Sequence, residues 1–340
     1  MGVLGLMVVG LWVVGMAYIV GGGSVFGVWV GVEFVSLVVG MGILVWGGGG
    51  FVTKSVVMMK YLMLQMVMGA CLLLGLLVWG APVGLDPLVG WMVVLVISVK
   101  MGTFPGHSWV VDVYGGVSLW EGLVLGVVPK VGLFVALTLF AWGVGMSVEW
   151  VALMSVGVGG MLGLGYTDIR HIFACSSVVT SGWLLVGMVG GGFFWIFLMY
   201  VAAMLGVVLL LEVGVHMLYK LSSSSFVGGV VGGQKSGFLV LLLLGLCGVP
   251  LSLMFLFKLT TLSLYGVGWY TAMVLLLSFF SAFMYSRLFV VSWGGASSGG
   301  LGGGDLLWGG GVWGSGGGLL VVLVSVVGVV GLLLMFFVVL

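Results

Sequence analysis

The chain has 340 residues, 63% of them hydrophobic and only 5% charged, with a formal net charge of +1 and a mean hydropathy of +1.45. So few charges cannot cover a soluble surface, and the near-neutral balance excludes a nucleic-acid binder built on basic patches. Apolar runs of about 20 residues, the length of a bilayer span, follow one another instead, and their uniformity excludes a β-barrel, whose strands alternate.

Length, together with breaks at glycine, proline and charge, predicts about eleven spans. They run near residues 2–22, 25–46, 55–79, 87–114 (broken at Pro105), 117–142, 149–165, 172–191, 193–219, 237–263 (broken near Pro250), 267–292 and 318–340. The expected fold is all-α: a polytopic membrane helix bundle forming one transmembrane domain over residues 1–340. Connections are short except at 220–235, with its run Ser222 to Ser225, and at 293–317, rich in Gly, Ser and Trp. No internal repeat is visible, yet two proline-broken spans in separated positions fit a transporter built on a repeated plan.

Charge separates the two sides of such a bundle. With alternating spans, the loops on the N-terminal side carry Lys54, Arg170, Lys220, Lys235 and Arg287, and the opposite loops carry Asp86 and Glu149 with no lysine or arginine. Basic residues gather on the side of insertion, which predicts an inside N-terminus and an outside C-terminus.

Several charges fall within spans. Glu33 lies in VWVGVEF of the second span, Lys100 in SVKMGTFPGHSW of the fourth, Lys130 in GVVPK of the fifth and Lys258 in LMFLFK of the ninth. Each costs roughly 2.5–3.5 kcal/mol at the centre of a helix in lipid, so residues of this kind mark ion pathways by default. Pro105 lacks an N–H and clashes with the preceding turn, so the fourth helix breaks just beyond Lys100, and a broken helix needs protein or water to satisfy its freed backbone. Glu33 and Lys100 suit either a structural salt bridge or a switched pair. The sequence offers one carboxylate at this depth for three lysines, and an amine without an anion in hydrocarbon gives up its proton more readily than in water.

The remaining polar residues carry weaker signals. Lys60 is close enough to a span end to snorkel, and Gln65 stands beside it on the same span. His107, just after the break, suits either passing a proton onward or satisfying freed carbonyls. Asp112 and Glu121 flank a helix junction, where acids favour helix N-termini, with water access as the alternative. Glu212 and His216 read as a helix-surface pair, and Asp168, Arg170 and His171 as a charged loop. The three cysteines, Cys71, Cys175 and Cys247, lie far apart in apolar runs with no CxxC, so no metal site and no cofactor site is expected. The 66 glycines, 22 methionines and 15 tryptophans, with no asparagine, suggest a coding strand rich in G and T, as in an organelle genome. The first span opens without an Arg-rich presequence, so synthesis inside the organelle is the expectation.

Taken together, VWVGVEF, KYLMLQ, SVKMGTFPGHSW, GLVLGVVPK, DIRHIFACSSVVTSGW and GVPLSLMFLFK, in this order, resemble the antiporter-like membrane subunits of respiratory complex I, the proton-translocating NADH:ubiquinone oxidoreductase. The resemblance covers most of residues 25–290. It implies that Glu33 pairs with Lys100, that Lys130 is the central relay lysine and that Lys258 ends the relay on the second broken helix. It further implies proton movement from matrix to intermembrane space across the mitochondrial inner membrane. The expected partners are other membrane-arm subunits and lipids, with flavin, iron–sulfur clusters and ubiquinone carried by other subunits. The chain departs from the family at Leu251 and Phe257, where prolines are usual, at Thr180 in place of a histidine, and at Gly106 in place of a phenylalanine. A free-standing cation/proton antiporter and a purely structural subunit are the rival readings.

Overall fold

The computed structural model describes residues 3–22, 24–45, 51–79, 87–140, 145–191, 195–204, 248, 252–266 and 268–297. Among these residues every regular element is a helix: α1 (Val3–Gly21), α2 (Val25–Val45), α3 (Phe51–Trp79), α4 (Pro87–Met101), α5 (Ser108–Gly116), α6 (Leu119–Phe140), α7 (Gly145–Gly165), α8 (Ile169–Val189), α9 (Trp195–Met204), α10 (Leu253–Tyr265) and α11 (Trp269–Ser297). Where the spans read from the sequence cover described residues, they fall on these helices, including the fourth, which divides into α4 and α5 around Pro105, while residues 205–219 and most of 237–252 of two later spans are not described. Six helices are long and apolar enough to cross a bilayer, and four shorter apolar ones accompany them. The break near Pro250, the span at 318–340, Asp86, Glu212, His216, Lys220, Lys235 and Cys247 lie outside the described residues.

Two compact units divide the chain, Met1–Gly159 with Asp168–Val189, and Gly160–Thr167 with Gly190–Leu340. In the first, α1, α2, α3 and α4 pack each on the next, while α6 lies against α1, α2 and α4, and α8 against α5 and α6. Small residues set the spacing, as lipid-embedded helices without a hydrophobic drive between them require. At Gly31 an added Cβ would come within 2.6 Å of the Ile19 side chain, so α1 and α2 touch backbone to side chain there. The outer side of α1 shows Leu4, Leu6, Met7, Val14 and Val20 to the surroundings, an apolar exterior suited to hydrocarbon.

The start of α6 follows from local chemistry. Ser118 Oγ accepts the Glu121 N–H at 3.4 Å and Glu121 Oε2 accepts the Ser118 N–H at 2.7 Å, a capping box that satisfies two of the helix's orphan donors. At the middle of α6, Pro129 interrupts the ladder, because it has no N–H to offer the Leu125 carbonyl.

Within the second unit, Arg287 on α11 donates to the carbonyls of Leu164 at 2.6 Å, Gly163 at 3.3 Å and Tyr166, closing the end of α7. A cation on the last carbonyls of a helix satisfies both its open acceptors and its dipole. Arg287 is thus a helix residue with a capping task, where the sequence placed it among loop charges. Helix α10 begins at Ser252, whose Oγ accepts the Phe255 N–H at 3.2 Å, and ends at Gly266, whose φ of 85° suits glycine.

Candidate functional site

Hydrogen bonds from backbone and side chains hold the break after α4. Gly102 takes φ +77°, its N–H bonds the Val99 carbonyl at 3.0 Å, and the Thr103 N–H bonds the Ser98 carbonyl at 3.0 Å. This is a Schellman ending, and glycine is what permits it. The same carbonyls receive side chains as well: Thr103 Oγ1 donates to Ser98 O at 2.9 Å and Trp109 Nε1 to Val99 O at 2.9 Å. Gln65 Nε2 donates to the Lys100 carbonyl at 3.2 Å. Protein groups therefore replace the missing turn, which is the condition for a break at membrane depth. Gly106 sits where a Cβ would meet Val99 at 2.5 Å, so this corner is tightly filled rather than loosened by the small residue.

Lys100 is 1% exposed and its ammonium bonds Glu33 Oε1. The Glu33 side chain is 14% exposed, and its second oxygen, Oε2, is buried with no hydrogen-bond partner. Helix α3 forms the wall behind the carboxylate. A Cβ at Gly69 would lie 2.2 Å from Oε1 and 2.6 Å from Oε2, and Trp29 Nε1 holds the Gly69 carbonyl at 2.8 Å. Only glycine leaves room for the carboxylate at that depth. The pair expected from the sequence is thus formed, with one carboxylate oxygen left unsatisfied.

Lys130 is 3% exposed and has a different environment. Its ammonium donates to the Ser177 carbonyl at 2.7 Å, Ser177 Oγ at 2.9 Å and Ser181 Oγ at 3.4 Å. The two serines stand four apart on α8, on one helix face, so neutral oxygens hold this cation. Between Lys100 and Lys130 lies a small cavity, with ≈ 10 Å³ of room for the centre of a water, lined also by Tyr61, Trp109, Tyr114 and Pro129.

Lys258, in the second unit, is buried on α10, and a Cβ at Gly248 would stand 3.4 Å from its Nζ. Phe257 before it is fully buried, with its ring 5.9 Å from Tyr200. His107 caps α5 without a side-chain bond; it stacks on Phe104 at 6.3 Å and its Nδ1 is buried without a partner. Lys60 and Asp112 approach to 4.0 Å, both well exposed, in keeping with a lysine that reaches outward.

The sequence missed one pair. Lys54, counted above among loop charges, lies in the first turn of α3 and is buried against Glu121, Nζ to Oε1 at 3.1 Å. The signal was available in part: Ser118-Leu119-Trp120-Glu121 is a capping-box pattern, which fixes where that carboxylate sits. Nothing in spacing joins Lys54 to it, since 67 residues separate them. Among the described residues no group of three or more His, Cys, Asp or Glu comes together that could hold a metal.

Fold and site together define a polytopic helical membrane protein with charges buried beside a broken helix. Residues 34–284 match the family described as NADH:quinone oxidoreductase/Mrp antiporter, TM, and the chain belongs to that family. It is similar to NADH-ubiquinone oxidoreductase chain 2 of Branchiostoma lanceolatum, 34% identical over 171 residues that make 48% of this chain and 49% of that one. NADH-quinone oxidoreductase subunit N of Cutibacterium acnes is 34% identical over 113 residues, 30% of this chain and 21% of that protein. The chain thus spans half or less of the length of these curated relatives. In fold it resembles a chain of respiratory complex I from Thermus thermophilus, with a TM-score of 0.68 at 20% identity, covering 96% of this chain and 77% of that one.

Proposed function

We propose that this chain is a membrane-arm subunit of respiratory complex I in the mitochondrial inner membrane, carrying protons from matrix to intermembrane space. Its N-terminus faces the matrix, and its partners are neighbouring membrane subunits and lipids. The electron-transfer groups, flavin, iron–sulfur clusters and ubiquinone, belong to other subunits. The observation that carries the reading is the Glu33–Lys100 pair at the end of a broken helix, with one carboxylate oxygen buried and unsatisfied. An ion pair of this kind has a second arrangement within reach: when Glu33 turns away, Lys100 loses the anion it is paired with and its proton is released. Lys130, held by neutral serine oxygens, is the next station, and Lys258 on α10 is the last.

Moving one charge against a potential costs about 2.3 kcal/mol per 100 mV, a scale that the making and breaking of one buried ion pair covers. The test is Lys130→Met in the assembled enzyme, reconstituted into vesicles with the native complex as control. Protons moved per NADH oxidised should fall while the complex still assembles. An unchanged ratio would leave the lysines a structural task only and sink the relay.

A further inference from the structure

A relay from Lys100 to Lys130 needs a connection, and the packing between them contains one polar group with no assigned work. Tyr61 on α3 is 1% exposed, its ring 5.7 Å from Trp109, and its hydroxyl is buried without a hydrogen-bond partner. A hydroxyl buried without a partner costs about 1–3 kcal/mol, so its position calls for a partner that comes and goes or a water. Tyr61 lines the cavity shared by Lys100 and Lys130, and it also lines a second small cavity with Ser36, Gln65 and Pro129. It lies within the electrostatic reach of Glu33. The other tyrosine of the shared cavity, Tyr114, lines it from α5 beside Ser177. The cavity has Lys100, Lys130, Ser177 and two tyrosines in its lining and room for the centre of a water, the conditions under which a buried water is held.

We propose that Tyr61, with one water in this cavity, is the proton bridge between Lys100 and Lys130. The proposal rests on the relay reading above and names the group that closes its gap. In the transfer, an N–H bond of the Lys100 ammonium breaks and its proton passes to the water. The water gives one of its hydrogens to the Tyr61 oxygen as the Tyr61 O–H gives its own to the Lys130 amine. One N–H is lost at Lys100 and one gained at Lys130; water and phenol end neutral, with the phenol O–H turned toward the other side. Rotation about the C–O bond resets it. No tyrosinate forms, which suits a phenol this far from water.

The test is Tyr61→Phe, which keeps the ring against Trp109 and removes only the oxygen. In the assembled enzyme in vesicles, coupled proton movement should fall about tenfold or more, and the solvent deuterium isotope effect on the coupled rate should change; a purely structural tyrosine would leave that effect alone. If Tyr61→Phe pumps like the native enzyme while Lys130→Met does not, the bridge is wrong and the relay stands. If both pump like the native enzyme, the relay and the bridge fall together. If Tyr61→Phe does not assemble, a water-resolving map of the native complex decides. Water within hydrogen-bond distance of Tyr61 Oη supports the bridge, and a dry cavity overturns it.

Discussion

Two buried lysine–glutamate pairs lie in the first unit, and they differ in how completely their carboxylates are bonded. Glu121 gives one oxygen to Lys54 at 3.1 Å and the other to the Ser118 N–H at 2.7 Å and Ser118 Oγ at 2.9 Å. Every demand of that carboxylate is met by a helix start that would exist anyway. Glu33 gives one oxygen to Lys100 and has nothing for the other. The Lys54 pair sits at the first turns of α3 and α6, whereas Lys100 sits in the last turn of α4, just before the break. A buried pair with all valences filled is held in one arrangement, because any movement strands a polar group. A half-satisfied pair loses less by moving. The same residue types therefore make a fixed strut in one place and a movable contact in the other.

The sharpest way to break this comparison is Glu33→Gln. Glutamine keeps the size and one acceptor but leaves Lys100 buried without an anion, and removing one member of a buried pair costs about 3–5 kcal/mol. Coupled proton movement by the assembled enzyme should fall roughly a hundredfold or more, the same energy at about 1.4 kcal/mol per tenfold. The measurement is acidification of the vesicle lumen on adding NADH, with assembly followed on native gels. Pumping at the native level would place the Glu33 pair in the same structural class as the other.

How much of this was legible beforehand depends on the range of the interaction. The helices, the break near Pro105 and the depth of Glu33, Lys100 and Lys130 follow from apolar run length and proline chemistry, which act within a few residues. The pairing of Glu33 with Lys100 was foreseeable because a lone mid-membrane carboxylate has few partners to choose from. The Lys54–Glu121 pair was not, since Lys54 stands at the edge of its apolar run and reads equally well as a loop charge. The serines that hold Lys130 were hidden for another reason: Ser177 and Ser181 are ordinary small polar residues until α8 is packed against α6. Gly69 and Tyr61 gave no local signal at all, because their roles consist of what faces them across a helix interface.

The strut can be broken in the same way. Glu121→Gln removes the anion beside Lys54 while its amide oxygen can still accept from Ser118. The assembled protein should lose about 3–5 kcal/mol of stability, the cost of leaving Lys54 buried without its anion, read as a lower melting temperature. Protons per NADH should stay at the native value. A change in that ratio with the melting point unmoved would mean that this pair also moves during turnover, and the distinction between strut and switch would have to be drawn elsewhere.

The finest probe changes no charge. Gly69→Ala puts a Cβ where the nearest atoms are Glu33 Oε1 at 2.2 Å and Oε2 at 2.6 Å. Those oxygens are the far end of a flexible side chain, so the carboxylate can yield while α3 stays in place. Alanine inside a helix is favoured over glycine by roughly 0.5–1 kcal/mol, so stability should hold or rise slightly. The displaced carboxylate, however, meets Lys100 in a poorer geometry, and about 1 kcal/mol lost there would slow coupled transport roughly fivefold. Melting temperature and proton movement should therefore part company in this variant, one steady and the other falling. If they instead fall together, Gly69 serves helix packing alone. If both hold, the contact between Glu33 and Lys100 tolerates displacement, and the position of the carboxylate is not what tunes the pair.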